Sequence, residues 1–246
     1  MKTTKTIFED GNHKWVAIVR DPDKPNYLID TNEYLVTHGS HGILLDPGGA
    51  EVFPAVFSAL SSQFDPSALA AVFASHQDPD ICSSLALWLE FNPRMRCYVS
   101  WLWTSFIPHF GGTAETFVTM PDEGAEISLD GLILKAVPAH YLHSSGNFHL
   151  YDKVAKVLFS GDVGAALLPL GEDGLFVENF DAHIRHAEGF HKRWMGSNEA
   201  KRRWCERVSQ MEIDMLCPQH GAIYQGADVQ RFINWFDGLQ VGICGG

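Results

Sequence analysis

Cysteines arranged to hold structural zinc or to build a disulfide framework are missing from this sequence. Its five cysteines are dispersed, and no two of them form a C-x-x-C motif. An odd number of scattered cysteines is typical of free thiols in a reducing compartment, because disulfide-rich secreted domains carry paired cysteines at short spacings. We therefore expect a cytoplasmic protein without thiolate ligands. The cysteines are Cys82, Cys97, Cys205, Cys217 and Cys244.

Long apolar runs and an excess of basic residues are also missing. No stretch of about 18 apolar residues could cross a membrane, and residues 1–6 are not followed by the apolar segment of a signal peptide. Lys and Arg number 18 against 30 Asp and Glu, which gives a net charge of -12. Nucleic-acid binding requires a basic surface. The sequence thus predicts neither a membrane nor a nucleic-acid partner.

What the sequence does contain is an alternation of short apolar strands and amphipathic helices over one domain, residues 1–246. We expect an α/β fold in which two mixed β-sheets pack together with helices outside them, an αββα sandwich. Strands are predicted at 14–20, 33–38, 42–46, 69–74, 95–99, 126–129, 132–137, 147–151, 156–160 and 213–217. Helices are predicted at 51–62, 81–91, 101–110, 181–194, 198–210 and 229–239.

A tight turn after the apolar strand 69–74 concentrates groups that could bind metal. It reads Ser75-His76-Gln77-Asp78-Pro79-Asp80 and leads into a predicted helix. Ligands and metals collect at the carboxyl ends of strands in open α/β sheets. One imidazole and two carboxylates so close together are costly to assemble unless a cation neutralises them. We take this turn as the centre of the candidate site.

Three further predicted strands end in metal-binding side chains, each beside a Gly or Pro that shapes the turn. Three imidazoles and three carboxylates suit two metal ions. The carboxylate of Asp162 would be shared between the two ions. Oxygen and imidazole donors without thiolate suit iron or manganese, with zinc also possible, and the three carboxylates favour iron. No catalytic residue beyond the ligands is predicted. The predicted ligands are His76, Asp78, Asp80, His140, Asp162 and His220.

Three neighbouring residues are candidates for supporting this site. His143 is either an outer ligand or, in the preferred interpretation, a hydrogen-bonding partner of its turn. Tyr141 either lines a ligand pocket or packs in the core. Asp46, which precedes Pro-Gly-Gly, is expected to brace the metal loops through hydrogen bonds.

These motifs resemble the metallo-β-lactamase superfamily, whose hydrolases usually show H-x-H-x-D-H in the first turn. The third position here is the carboxylate of Asp78, and a carboxylate there resembles the H-x-E-x-D-H of the flavodiiron branch. Residues 29–36 and 214–221 are similar to the early strand and the last ligand turn of that branch. Two departures are Asp78 in place of Glu and Ile81 in place of His; the second leaves one iron open to water or dioxygen.

Carried over by position, the resemblance implies two irons. His76, Asp78 and His140 would hold one iron, Asp80 and His220 the other, and Asp162 would lie between them. Flavodiiron proteins add a flavodoxin domain that carries FMN, but this chain shows no G-x-G-x-x-G motif or flavodoxin-like phosphate loop, so no FMN domain is expected. The chain is similar to stand-alone members, some of which bind oxygen as sensors.

The implied function is a non-haem diiron protein that binds dioxygen or another small diatomic ligand. It would act as a sensor with a signalling partner, or as an O2 or NO reductase fed by a separate flavoprotein or rubredoxin; the branch also implies a homodimer. Whether it is an enzyme stays open. The alternative is a dinuclear metallohydrolase in which a metal-activated water attacks an ester, thioester or phosphodiester, although Asp78 speaks against it. An interaction module without chemistry ranks last, because all six ligands are present.

Overall fold

Two β-sheets packed face to face form the centre of the molecule. A computed structural model describes residues 2–21, 25, 28–29, 31–172 and 174–243. The first sheet has the order β1-β2-β3-β4-β5-β6-β7, in which β1 to β4 are antiparallel and β4 to β7 parallel. Its strands are β1 (Thr4–Asp10), β2 (His13–Ile18), β3 (Glu33–His38), β4 (His41–Leu45), β5 (Leu69–Phe73), β6 (Arg96–Ser100) and β7 (Phe117–Met120).

The second sheet comes from the other half of the chain and has the order β13-β12-β11-β10-β9-β8. Only β11 and β12 pair in parallel among its described strands. Its strands are β8 (Ala125–Leu129), β9 (Leu132–Pro138), β10 (Phe148–Asp152), β11 (Val157–Gly161), β12 (Met215–Pro218) and β13 (Tyr224–Gln225).

Helices cover the outer face of each sheet. On the first sheet these are α1 (Phe53–Ser61), α2 (Pro79–Cys82) and α3 (Leu85–Phe91), and on the second α4 (Phe180–Trp194), α5 (Asn198–Val208) and α6 (Ala227–Gly238). One buried cluster lies between the sheets and contains Trp15, Phe73 and Phe159. Two others lie beneath the helices, around Trp88 on one side and Phe232 on the other. The predicted αββα sandwich of two mixed sheets is confirmed.

The topology brings the ends of five strands to one region. β9 and β11 both pair antiparallel with β10, so they run in the same direction, and β12 runs parallel to β11. The carboxyl ends of these three strands therefore share an edge of the second sheet. In the first sheet β4 and β5 run parallel and end side by side. The candidate site lies where these two sheet edges meet.

Several predicted elements differ from the structure. The helix predicted at 81–91 is two helices, α2 and α3. They are separated at Ser84, whose hydroxyl donates a hydrogen bond of 2.7 Å to the carbonyl of Gly48. The helix predicted at 101–110 consists of the 3-10 turns Trp101–Trp103 and Ile107–Phe110. Strands β1, β7 and β13 were not predicted. The strand predicted at 33–38 is β3, whereas Asp30 of the early motif at 29–36 lies outside the described residues.

Two other expectations meet the structure only in part. Cys82, Cys97, Cys205 and Cys217 are buried free thiols, whereas Cys244 lies outside the described residues. No helix in the described part of the chain is long and apolar enough to span a membrane.

Candidate metal centre

Asp162, directly after β11, lies at the centre of the cluster. One of its oxygens, Oδ2, lies 2.7 Å from Nε2 of His143 and 3.5 Å from Nε2 of His76. Its other oxygen, Oδ1, lies 3.4 Å from Nε2 of His220. One oxygen of the carboxylate therefore faces two imidazoles and the other oxygen faces a third, an arrangement that suits a carboxylate between two ions.

Each group includes a second carboxylate from the turn after β5. Asp78 Oδ2 lies 3.5 Å from Nε2 of His143 and 3.7 Å from Nε2 of His76. Asp80 Oδ2 lies 3.3 Å from Nε2 of His220. Asp78 has extended backbone because Pro79 follows it, and Pro79 opens α2. This local constraint helps to place the two carboxylates at the start of the helix.

The structure places His140, one of the predicted ligands, away from the cluster. Its Nε2 lies 2.9 Å from the carbonyl oxygen of Asp122, and its ring packs against Phe148, with centroids 5.1 Å apart. The chain turns back immediately afterwards, since Tyr141 has φ 65° and its N–H donates to the carbonyl of Ser144. His143 thereby takes the place predicted for His140, and the other five predicted ligands come together. The segment His140-Tyr141-Leu142-His143 contains this second candidate three residues after the first.

The arrangement fits a cation. Nε2 of His76 and Oδ1 of Asp162 are buried and have no hydrogen-bond partner among the described residues. His76, Asp78 and His143 each offer one ligand atom, and these atoms lie within 4.8 Å of one another. Ligands at about 2.0–2.2 Å from one ion lie roughly 3 to 3.5 Å apart, close to the separations found here. The donor set of imidazole and carboxylate suits iron.

The electrostatics of the cluster also favour positive charge. Burial lowers the pKa of His76, but Asp162 and Asp78 outweigh burial and raise it to about 10. The pKa of Asp162 shifts the other way. Burial raises it, but the three surrounding imidazoles outweigh burial and hold the pKa well below its usual range. Burial is again outweighed at His220, where Asp162 and Asp80 raise the pKa. Buried carboxylates thus stabilise cationic charge at this position.

Asp46, at the end of β4, holds His76 through Ser75. Its carboxylate accepts hydrogen bonds from the backbone N–H of Ser75 (2.7 Å) and from the Ser75 hydroxyl (2.6 Å). That hydroxyl oxygen lies 2.9 Å from Nδ1 of His76. Because the Ser75 proton is used by Asp46, its oxygen accepts from Nδ1–H, which leaves the lone pair of Nε2 for the centre. Burial raises the pKa of Asp46 to about 7, although His76 opposes the shift.

The turn that carries His220 is held by β3 and by a glycine. The Asn32 side chain donates to the carbonyl of Gly221 (2.9 Å), and the Tyr34 hydroxyl donates to that of Pro218 (2.9 Å). Gly221 has φ 86°, and a Cβ there would lie 2.9 Å from the backbone of Ala166. These contacts were not predicted, although Asn32 and Tyr34 belong to the early motif.

A cavity of about 390 Å³ opens onto the cluster. Tyr141 and His140 do not line it; they line a separate cavity of about 470 Å³ beside α5. Ile81 is 1% exposed and packs in the core beneath α3, so its side chain does not line the cavity either. The lining consists of Leu28, Ile29, Glu51, Asp78, Pro79, Asp80, Ser83, His143, Asp162, Phe190, Trp194 and His220.

Comparison with known proteins gives consistent matches. The sequence model of a family described as ODP family beta lactamase matches residues 29–221. The chain is similar to a solved structure described as the peroxy diiron species of the chemotaxis sensor ODP, with 39% identity over 98% of this chain and 96% of that chain, and a TM-score of 0.87. The apo state of the chemotaxis sensor ODP from T. denticola shows 38% identity over the same shares, with a TM-score of 0.88.

More distant matches concern the fold alone. A mutant of the flavo di-iron protein from Thermotoga maritima is 24% identical over 96% of this chain, with a TM-score of 0.83. This chain covers 61% of that protein. A search of curated protein sequences found no significant match.

Proposed function

Because this chain belongs to the ODP family of β-lactamase-like proteins, we propose that it is a non-haem diiron protein that binds dioxygen. The observation that carries the proposal is the convergence of three imidazoles on the two oxygens of Asp162, with Asp78 and Asp80 beside them. Two similar structures are described as a chemotaxis sensor, one of them as a peroxy diiron species. This similarity favours sensing over reduction.

The ligand set we propose differs from the sequence prediction at one position. His76, Asp78 and His143 would hold one iron, Asp80 and His220 the other, and Asp162 would span both. Bound iron would supply the electrons and the open coordination position that dioxygen binding needs. The protein contributes the fixed imidazole of His76 and a cavity with apolar walls.

Hydrolysis by a zinc pair is the less favoured function. The solved structures with the highest identity reported above are a diiron sensor and its apo state. A carboxylate occupies the Asp78 position, where the hydrolases of the superfamily usually have a histidine. Four expectations remain predictions: signalling through a partner protein, electron donation by a flavoprotein or rubredoxin, a homodimer, and a cytoplasmic location.

Metal analysis of protein purified without oxygen tests this proposal. We expect about two irons per chain and a visible absorption band that appears on exposure to air. Two zinc ions together with turnover of an ester or phosphodiester would contradict it. Adding reduced rubredoxin or flavoprotein then separates the two diiron functions. A sensor should take up oxygen once per site, whereas a reductase should consume it continuously.

A further inference from the structure

Two aromatic side chains of α4 form one wall of the cavity. Phe190 and Trp194 lie four residues apart, on the same face of the helix, and their rings stack at 5.8 Å with an interplanar angle of 20°. The Trp194 ring lies 5.4 Å from the His143 ring, and the Phe190 ring lies 6.4 Å from the His220 ring. The pair therefore extends from one half of the metal centre to the other.

The two aromatic residues differ in burial. Phe190 is 7% exposed and belongs to the core beneath α4, whereas Trp194 is 54% exposed and is not part of that core cluster. The core thus does not require the Trp194 indole. Ligand pockets are lined mainly by apolar and aromatic side chains, and Trp194 adds such a side chain to the rim of this cavity. Ile29, itself 42% exposed, also lines the cavity.

The backbone fixes Trp194 relative to the turn that carries His143. The helix ends at Trp194, and the N–H of Met195 donates to the carbonyl of His191. The next residue, Gly196, donates its N–H to the carbonyl of Tyr141 at 3.2 Å. Tyr141 precedes His143 by two residues. A backbone hydrogen bond therefore joins the segment that carries the indole to the turn that carries the imidazole. It gives the aromatic wall a defined position beside the centre.

We propose that Trp194 determines which ligands reach the centre. Its indole would narrow the approach to the centre and disfavour ligands as bulky as a phenyl ring. The ligand selected would be small. This inference rests on the proposed function, because it assigns a specificity role at the same site.

Probe ligands of graded size test the inference on iron-loaded protein. Nitric oxide serves as the small ligand, and imidazole and phenylimidazole as the intermediate and bulky ones. We expect W194A to bind phenylimidazole at least about tenfold more tightly than the wild type, the size of effect that one steric contact in a pocket produces. Nitric oxide affinity should change by less than about threefold. W194F, which keeps an aromatic ring, should bind phenylimidazole with an intermediate affinity. This variant keeps the test decisive if W194A does not fold.

Trp101 provides a matched control. It is 51% exposed, lies outside the cavity lining and donates its indole N–H to Asp122. W101A should leave all three affinities unchanged. A second readout needs no ligand: because Trp194 lies beside His143, W194F should lose more of the fluorescence quenching caused by metal loading than W101F. Equal losses in the two variants would place the metal away from Trp194 and overturn the inference.

The outcomes separate this inference from the function beneath it. If the wild type binds neither iron nor nitric oxide, the proposed function fails, and the specificity role fails with it. If nitric oxide binds but W194A and the wild type have the same affinity for phenylimidazole, the diiron function stands and the role of Trp194 is overturned.

Discussion

The two turns that supply His76 and His143 reach the same carboxylate by different means. In the turn after β5, residues 74–80, adjacent residues place the side chains: Ser75, itself held by Asp46, contacts His76, and Pro79 fixes the backbone of Asp78. The turn after β9, residues 139–147, depends on distant parts of the chain. Gly196 contacts its backbone, and Gln77 accepts a hydrogen bond of 2.7 Å from the Ser144 hydroxyl. We call them the β5 turn and the β9 turn.

This difference explains why one turn could be predicted and the other could not. In the β5 turn the proposed ligands lie within five consecutive residues, so a local motif points to them. In the β9 turn both His140 and His143 follow an apolar strand, and the choice depends on the positive φ of Tyr141 and on the contact with α4. Both features belong to the tertiary structure, and a local sequence pattern does not contain them. The predictions below test whether both turns are needed at one centre.

Removing Asp162, the group that both turns share, should have the largest effect. D162A takes away the oxygens that face His76, His143 and His220 at once. We expect iron affinity to fall more than about 100-fold for both ions, because even supporting residues cost 10–100-fold. Metal analysis after dialysis measures it. D122A, which removes an exposed carboxylate near His140, should retain both ions; equal loss in the two variants would refute the shared-carboxylate arrangement.

Breaking the support of the β5 turn should come next. In D46N the amide can donate to the Ser75 oxygen, so the Ser75 hydroxyl would turn its proton toward Nδ1 of His76. The imidazole would then carry its proton on Nε2, which faces the centre. We expect iron affinity to fall by about 10- to 100-fold in metal titrations. D65N alters only a surface cap, and should bind iron like the wild type. An unchanged affinity in D46N would show that this contact does not set the tautomer.

The sheet beneath the β9 turn should make stability depend on pH. His149 on β10 is fully buried and its Nδ1 accepts a hydrogen bond from the Trp204 indole at 3.1 Å. Burial lowers its pKa to about 3, so the folded protein keeps it neutral while the unfolded chain protonates it below about 6.5. Stability should therefore be present above pH 6.5 and be lost as the pH falls toward 3, by up to about 1.4 kcal/mol per pH unit.

Urea unfolding of the metal-free protein between pH 7 and about pH 4.5 measures this dependence. H149N removes the titrating group, so its slope against pH should be shallower than that of the wild type. H109N is the matched control, since that histidine is exposed, and it should leave the slope unchanged. Parallel curves for wild type and H149N would exclude His149 as the source.

The link between the two turns should give the smallest effect. Ser144 donates to Gln77, whose amide in turn lies 3.1 Å from Oδ1 of Asp78. S144A leaves every ligand in place and removes one neutral hydrogen bond, worth about 0.5–1.5 kcal/mol. We expect metal affinity to fall about threefold to tenfold. S209A, at an exposed helix end, is its control. A loss as large as that of D46N would mean that the β9 turn is held mainly by this contact.

Much of the fold followed from sequence pattern because most strands are short apolar runs bounded by turn residues. The predicted strands of three consecutive pairs, β3–β4, β8–β9 and β10–β11, form hairpins. The missed strand β13 has two residues, too few to show a strand pattern in the sequence. The break between α2 and α3 depends on Ser84 reaching the carbonyl of Gly48, a contact across 36 residues that no local pattern contains.

The measurement that tests the account most directly compares H143A with H140A. The two histidines lie three residues apart after the same strand, but only His143 reaches Asp162 and Asp78. After loading with ferrous iron and dialysis without oxygen, H143A should retain about one iron per chain and lose the absorption change on exposure to air. H140A should retain both irons and the absorption change. Full iron content in H143A together with loss of iron in H140A would contradict the centre described here.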